Sequence, residues 1–310
     1  EVISRSGPSE KQAKNSHASS TPIAADGKIY AHFGHMGTAC IDVSGEVIWR
    51  QMSLVYPPEH GNGSSPILVD DKLIFTGDGF VDPFLAALDK RTGDVVWKVN
   101  RTETKAKNKY SFCTPLLIEE GGRKIVVSPY SGAVAAYDPA DGKEIWRVLY
   151  GQGYSVTPRP VYADGMVFIC SGFSKAYVYA IRLGGHGDVT DTHVAWKSAS
   201  SVPRTPSVLL VGKKIYYVSD KGIVSCIAAA SGKEYWQGKI KAPFSASPVL
   251  AGGKIYLTSE KGKTFVIKAG EEFEIIAEND LGERTFASPA VSGKSLFIRT
   301  KSTLYCIKER

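Results

Sequence analysis

A Ser-Pro or Thr-Pro step recurs seven times, at Pro22, Pro66, Pro115, Pro158, Pro206, Pro248 and Pro289, at intervals of 41–49 residues. Six to nine residues after each step comes a short apolar run such as Lys28-Ile29-Tyr30, Lys72-Leu73-Ile74-Phe75 or Lys254-Ile255-Tyr256. A Gly- or Ser-bearing turn follows, then a second apolar run, a Gly and often a Trp. All five tryptophans, Trp49, Trp97, Trp146, Trp196 and Trp236, occupy this one repeat position. A fixed period of this length identifies a repeat architecture, in which no unit buries its apolar surface alone. Each unit holds about four runs rich in Val, Ile, Tyr and Phe, broken by Gly, Asp and Ser, which reads as a four-stranded antiparallel meander. No segment keeps an i, i+3, i+4, i+7 apolar pattern over three turns, so an α-solenoid is excluded. The expectation is an all-β chain of 310 residues, a β-propeller of four-stranded blades forming a single domain over 1–310.

The third run explains most of the cysteines. Aligned by repeat, Cys40, Ala87, Ala136, Ala180, Cys226, Val266 and Cys306 share one position that is always small and apolar. Cys40, Cys226 and Cys306 are therefore expected as compact core residues rather than redox groups. Matching positions on different blades lie beyond disulfide reach. Cys113 and Cys170 fall on other strands and are read the same way. No C-x-x-C pair occurs, and no apolar run approaches the ~20 residues of a membrane-spanning helix.

Two units carry a sharper pattern. Ala87-Leu-Asp89-Lys-Arg-Thr-Gly93-Asp-Val-Val-Trp97 and Ala136-Tyr-Asp138-Pro-Ala-Asp-Gly142-Lys-Glu-Ile-Trp146 both read A-x-D-x-x-x-G-x-x-x-W. Asp and Gly shape a turn, and the Trp offers a large flat surface to a neighbouring blade. The pattern resembles the tryptophan-docking motif of quinoprotein-type propellers, the PQQ-like repeat family that includes the PQQ alcohol dehydrogenases and the BamB-like propellers. The fourth unit departs by inserting Gly184 to Asp191 before its Trp196, and the sixth and seventh place Lys268 and Lys308 where the motif has Asp. PQQ dehydrogenases of the family carry adjacent cysteines and a Ca²⁺ site of Glu and Asn with a catalytic Asp. No Cys-Cys occurs here and no matching set can be carried over, so the resemblance implies a propeller without implying bound PQQ. No cofactor, metal or catalytic residue is assigned from the sequence.

The last unit ends after its third run, whereas Glu1-Val2-Ile3-Ser4-Arg5 matches the fourth run Glu46-Val47-Ile48-Trp49-Arg50. The expectation is that Glu1 to Arg5 completes the final blade and makes seven. The alternative is an eight-bladed ring whose first blade is absent from this chain.

Function is expected on one face. In an antiparallel blade, the loop entering the first strand and the turn between the second and third strands emerge at the same end. Those loops carry His17, His35, His60, Tyr110, Tyr154 and Arg204, a mixture of hydrogen-bonding groups and rings suited to a concave ligand site. His32 is expected on a strand. Turns at the other end, such as Asp26-Gly27 and Gly252-Gly253, are plain turn chemistry. Arg101, Lys105, Lys107 and Lys109 form a second candidate, a cationic rim for an acidic polymer, in keeping with the net charge of +7. No P-loop, G-x-G-x-x-G, G-x-S-x-G or H-E-x-x-H motif is present, and no nucleic-acid module is recognised, so nucleic acid is not an expected partner. The favoured reading is a non-catalytic scaffold binding a protein, a small molecule or an acidic polymer, placed in the periplasm or elsewhere outside the cytoplasm by the resemblance. The alternative is a cofactor- or metal-dependent oxidoreductase using the His/Tyr face.

Overall fold

The structure, a computed structural model, describes residues 2–3, 11–57 and 59–308. The first blade is built from Ile23–Ala25, Lys28–His32, Thr38–Asp42 and Val47–Gln51, hydrogen-bonded in that order and antiparallel throughout. Sheets of the same plan follow at 67–100, 116–149, 161–198, 209–239 and 249–280. A seventh, at 290–308, has three strands among the described residues. Seven blades and scarcely any helix make the fold the expected seven-bladed β-propeller. Among the described residues no helix is long and apolar enough to cross a membrane.

The inner hairpins close with two-residue turns. Asp26 and Gly27 have φ of 52° and 71°, the mirror-image turn whose twist matches the strands it joins, and Gly27 adopts it without steric cost.

The repeat chemistry becomes geometric at the third strand. Cys40, Ala87, Ala136, Ala180 and Cys226 lie directly opposite Trp49, Trp97, Trp146, Trp196 and Trp236 on the fourth strand. The register shifts by one residue immediately after each of those pairs. The small side chain leaves room for the indole, and the bulge adds local twist. Each of four indoles then donates to a carbonyl of the following blade: Trp49 to Lys90 at 3.1 Å, Trp97 to Pro139 at 3.1 Å, Trp196 to Ala229 at 2.9 Å and Trp236 to Gly270 at 3.2 Å. Gly142 sits under Trp97 with φ 77°, and a Cβ there would stand 2.7 Å from the ring. The turn must therefore lack a side chain for the indole to lie flat on it.

Contacts gather into two compact units, one of residues 1–160 and 184–193, the other of 161–183 and 194–310. In the first, Ile74, Leu85, Val126 and Tyr137 pack between the second and third blades. In the second, Phe168, Val178, Ile215 and Tyr217 fill the space between the fourth and fifth. The insertion before Trp196 joins the first unit. Gly187–Asp188 pairs parallel to the outer strand of the third blade, opposite Trp146 and Arg147, and Thr190 Oγ1 accepts from the Leu149 amide at 2.8 Å. Val189 packs inward, and Trp146 is 1% exposed against 8% for Trp49 and Trp97.

Two expectations need correction. Cys40 and Cys226 are fully buried, but Cys306 is exposed. Its strand, Leu304–Lys308, pairs with Ser295–Arg299 alone among the described residues, whereas the strands of Cys40 and Cys226 are paired on both sides. Of the segment expected to close the last blade, Glu1, Ser4 and Arg5 lie outside the described residues. Val2 and Ile3 form no strand and lie beside the first blade, where Arg50 Nε donates to the Val2 carbonyl at 2.7 Å.

Candidate binding site

Four loops of the first unit, 52–66, 78–83, 101–115 and 150–160, are laced together by their backbones. The Phe80 amide donates to Pro57 O at 3.3 Å, Ser111 to Asp78 O at 3.1 Å, Phe112 to Val156 O at 2.8 Å and Ser155 to Tyr110 O at 3.0 Å. His60 and Ser155 hold φ of 64° and 51°, a left-handed conformation that costs a non-glycine residue energy and that surrounding contacts must enforce.

This lacing assembles a chain of rings. The His60 imidazole meets Tyr110 edge-on at 5.3 Å, and Tyr110 meets Tyr154 edge-on at 5.8 Å. Phe80 stacks on Tyr110 at 6.0 Å, and Phe112 lies 6.0 Å from Tyr110 on another side. Such edge-on and offset pairs are the favoured aromatic geometries. Tyr110 is the buried hub, and burial raises its phenol above the ordinary range, with Tyr154 and Glu59 adding to the shift. Phe80 is 46% exposed, and Val55 and Val81, on the two loops joined by the Phe80–Pro57 bond, are exposed as well. The result is a solvent-facing apolar patch rimmed by the His60 imidazole and the Glu59 carboxylate, which stand 4.0 Å apart.

A buried ion pair holds the patch from beneath. Arg101 Nε and Nη2 donate to the two carboxylate oxygens of Asp78, each at 2.9 Å, with side-chain exposures of 1% and 0%. Arg101 Nη2 also donates to Ser128 Oγ at 2.8 Å, and Nη1 to the Tyr137 hydroxyl at 3.1 Å. Burial pushes the Asp78 carboxyl above its usual range, opposed by the guanidinium. Asp78 and Tyr137 outweigh the burial of Arg101 and keep it charged. The pair ties the loop bearing Phe80 to the loop bearing Tyr110. Arg101 is thus removed from the expected cationic rim. Its side chain points inward because Asp78, two residues before Phe80, offers a carboxylate the interior would otherwise leave unpaired. Lys105 and Lys107 remain exposed, and Lys109 Nζ is turned back onto Thr104 O at 3.1 Å.

Of the six residues expected to share a site, His60, Tyr110 and Tyr154 come together in this cluster. His35 packs edge-on against Tyr56 at 6.3 Å. His17 lines a separate pocket of about 260 Å³ with Val2, Ile3, Ala18, Phe33 and Met36. Arg204 belongs to the second unit, where its guanidinium lies 5.5 Å from the centre of the Phe173 ring. His32 is on a strand as expected, buried against Phe75 at 4.2 Å, with Nδ1 paired to Thr38 Oγ1 at 2.8 Å. Burial alone holds its imidazole down to about 3. Phe80, Phe112 and Asp78 were not singled out from the sequence. The one available signal was Phe80-Val81 standing apolar inside the polar turn Gly77-Asp78-Gly79-Phe80-Val81-Asp82-Pro83.

Among the described residues no three His, Cys, Asp or Glu side chains gather where they could hold a metal ion.

A family model described as outer membrane protein assembly factor BamB matches residues 2–237 and 185–272. Subunit 1 of the methanol dehydrogenase of Methylorubrum extorquens is 25% identical over 143 residues, 41% of this chain and 22% of that protein. The quinohemoprotein alcohol dehydrogenase of Pseudomonas putida is 28% identical over 191 residues, 56% of this chain and 24% of its own length. The chain thus spans less than a quarter of either curated relative. Among solved structures, BamB from Moraxella catarrhalis superposes with a TM-score of 0.70 at 15% identity, over 92% of this chain and 81% of that one. With more than half its length matched by that model and the same repeat in every blade, the chain belongs to the BamB-like family of PQQ-like β-propellers.

Proposed function

We propose that the chain acts as a single, non-catalytic, extracytoplasmic propeller domain that binds a protein partner through the aromatic patch of its first unit. The observation that carries this reading is the exposed Phe80 seated on Tyr110, in a cluster with His60, Phe112 and Tyr154 drawn from four separate loops. Exposed aromatic and aliphatic side chains around a buried hub are the composition of an interface core. The family description, an assembly factor for outer membrane proteins, supports both a protein partner and a location outside the cytoplasm. His17 and His35 remain further candidate contacts of the first unit, and Arg204 is a separate candidate of the second.

A photo-crosslinking residue placed at Phe80, compared with one at Asp71 in the hairpin at the other end of the same blade, tests the proposal in living cells. A discrete protein adduct at position 80 and none at 71 is expected, and Tyr154→Ala should weaken it without shifting the melting temperature. Adducts at 71 alone, or none at 80, would sink it. A redox reading is supported by the matched dehydrogenases. Quinone absorbance or stoichiometric metal in protein purified from its own host would favour it over the scaffold.

A further inference from the structure

The second unit carries 20 Lys and Arg against 11 Asp and Glu, a charge of +9, while the first carries 18 against 20. The excess follows the repeat. The turn between second and third strands bears Lys175, Lys221, Lys261 and Lys301 in four successive blades, and the intervening loops bear Arg204, Lys241 and Arg284. All seven are exposed, and none forms an ion pair with a described residue.

Hydrogen bonds run these segments into one belt. The Arg204 amide and Thr205 Oγ1 donate to the Asp220 carboxylate, each at 2.8 Å, and Phe244 N donates to Asp220 O at 3.1 Å. Ser245 Oγ donates to Glu260 Oε1 at 2.6 Å, Thr285 N to Glu260 O at 3.2 Å and Lys301 N to Arg284 O at 3.0 Å. The belt's three acids are consumed in this way: Asp220 and Glu260 by the bonds just given, and Glu283 by the Thr300 hydroxyl at 2.5 Å. The carboxylates hold the loops together while the cations face solvent. Arg204 and Arg284 stand over Phe173 and Phe286 at 5.5 and 5.7 Å, and Lys175 over Tyr177 at 5.7 Å, which orients the charged heads.

We infer that this belt is a docking surface for an acidic, Asp/Glu-rich polypeptide segment. An anionic membrane would call for exposed apolar side chains among the cations to enter the headgroup layer, and single-stranded nucleic acid for exposed rings on which bases stack. The belt's rings, Phe173, Tyr177 and Phe286, are half-buried with cations over them, and a lone exposed Leu304 borders the Lys301 turn. What they offer is a line of cations, two of them guanidinium forks matched to carboxylates. The inference concerns the second unit alone and stands whether or not the aromatic patch of the first binds a protein.

The test uses the full chain and a fluorescein-labelled oligoglutamate, read by anisotropy. Binding at low salt that is lost near ~1 M salt, where the screening length falls to about 3 Å, is expected. Reversing Lys221, Lys261 and Lys301 to Glu should weaken it by about tenfold or more. Reversing Lys213, Lys233 and Lys294, in turns at the opposite end of the blades, should change it less than about twofold. Melting curves and the triple Lys→Gln variant separate charge effects from folding. No binding, or equal losses in both triples, overturns the surface. Tighter binding of anionic phospholipid vesicles or single-stranded DNA than of oligoglutamate overturns the partner.

Discussion

Replacing Arg101 with Met tests whether the ion pair under the aromatic patch has the energetics its geometry implies. The substitution removes both 2.9 Å bonds to Asp78 and those to Ser128 and Tyr137, and leaves a carboxylate with no exposed side-chain surface. Breaking one half of a buried pair costs about 3–5 kcal/mol, because the remaining charge is uncompensated. The sign of the pH dependence follows from the surviving group. Without the guanidinium, nothing opposes the burial that already raises Asp78, so its folded pKa rises further above the unfolded value of about 3.9. A group with a raised folded pKa keeps its stability below the unfolded pKa and loses it as pH climbs. The deficit of Arg101→Met relative to the parent is therefore largest at neutral pH and shrinks toward pH ~4. Asp78→Asn strands a guanidinium that does not titrate in this range and removes the parent's raised carboxyl, so its deficit shrinks rather than grows as pH rises. Replacing both residues with apolar ones should recover part of the loss. Urea unfolding followed by tryptophan fluorescence at several pH values measures all three. An Arg101→Met deficit under about 1 kcal/mol at neutral pH, or one that grows on acidification, would refute the reasoning.

Trp97→Ala removes an indole bonded to Pro139 O and packed on Gly142, and should cost about 3–5 kcal/mol, visible as a lower denaturation midpoint. An unchanged midpoint would remove the indole from its structural role. In a native thiol titration Cys306 should react quickly, while Cys40, Cys113, Cys170 and Cys226 wait for denaturant. Rapid labelling of Cys226, or a protected Cys306, would contradict the burial pattern.

The blade plan was legible because two sequence positions answer each other across a strand pair. A small residue at Ala87 or Ala136 makes sense only with an indole opposite, and both recur at the repeat period. Cys306 misled for the same reason. Residue type marks the position within a blade, but burial depends on whether the strand has neighbours on both sides. Half of the expected ligand face drew together, since loop class fixes the end of the blade at which a residue emerges but not the loops it meets. Arg101 read as one of four cations because nothing local distinguishes it from Lys105. Its partner Asp78 is 23 residues away on another loop. The belt of lysines was visible as Asp220-Lys221-Gly222 and Glu260-Lys261-Gly262, yet each taken alone is an ordinary turn.

The inserted strand Gly187–Asp188 changes what kind of gene rearrangement this repeat protein can survive. Propellers lengthen and shorten by duplicating or deleting whole blades, which works when each blade carries its own edge. Here the outer edge of the third blade is finished by residues encoded inside the fourth, where Val189 N donates to Arg147 O and Thr190 covers the Leu149 amide. Deleting the fourth repeat would strip that edge and uncover Trp146, and duplicating it would set a second strap against the outer strand of a fourth blade, Val194–Ser198, in place of that of the third. The outer edge of the third blade thus depends on the fourth repeat, whereas in the first, second and fifth blades the sheet ends at its own fourth strand.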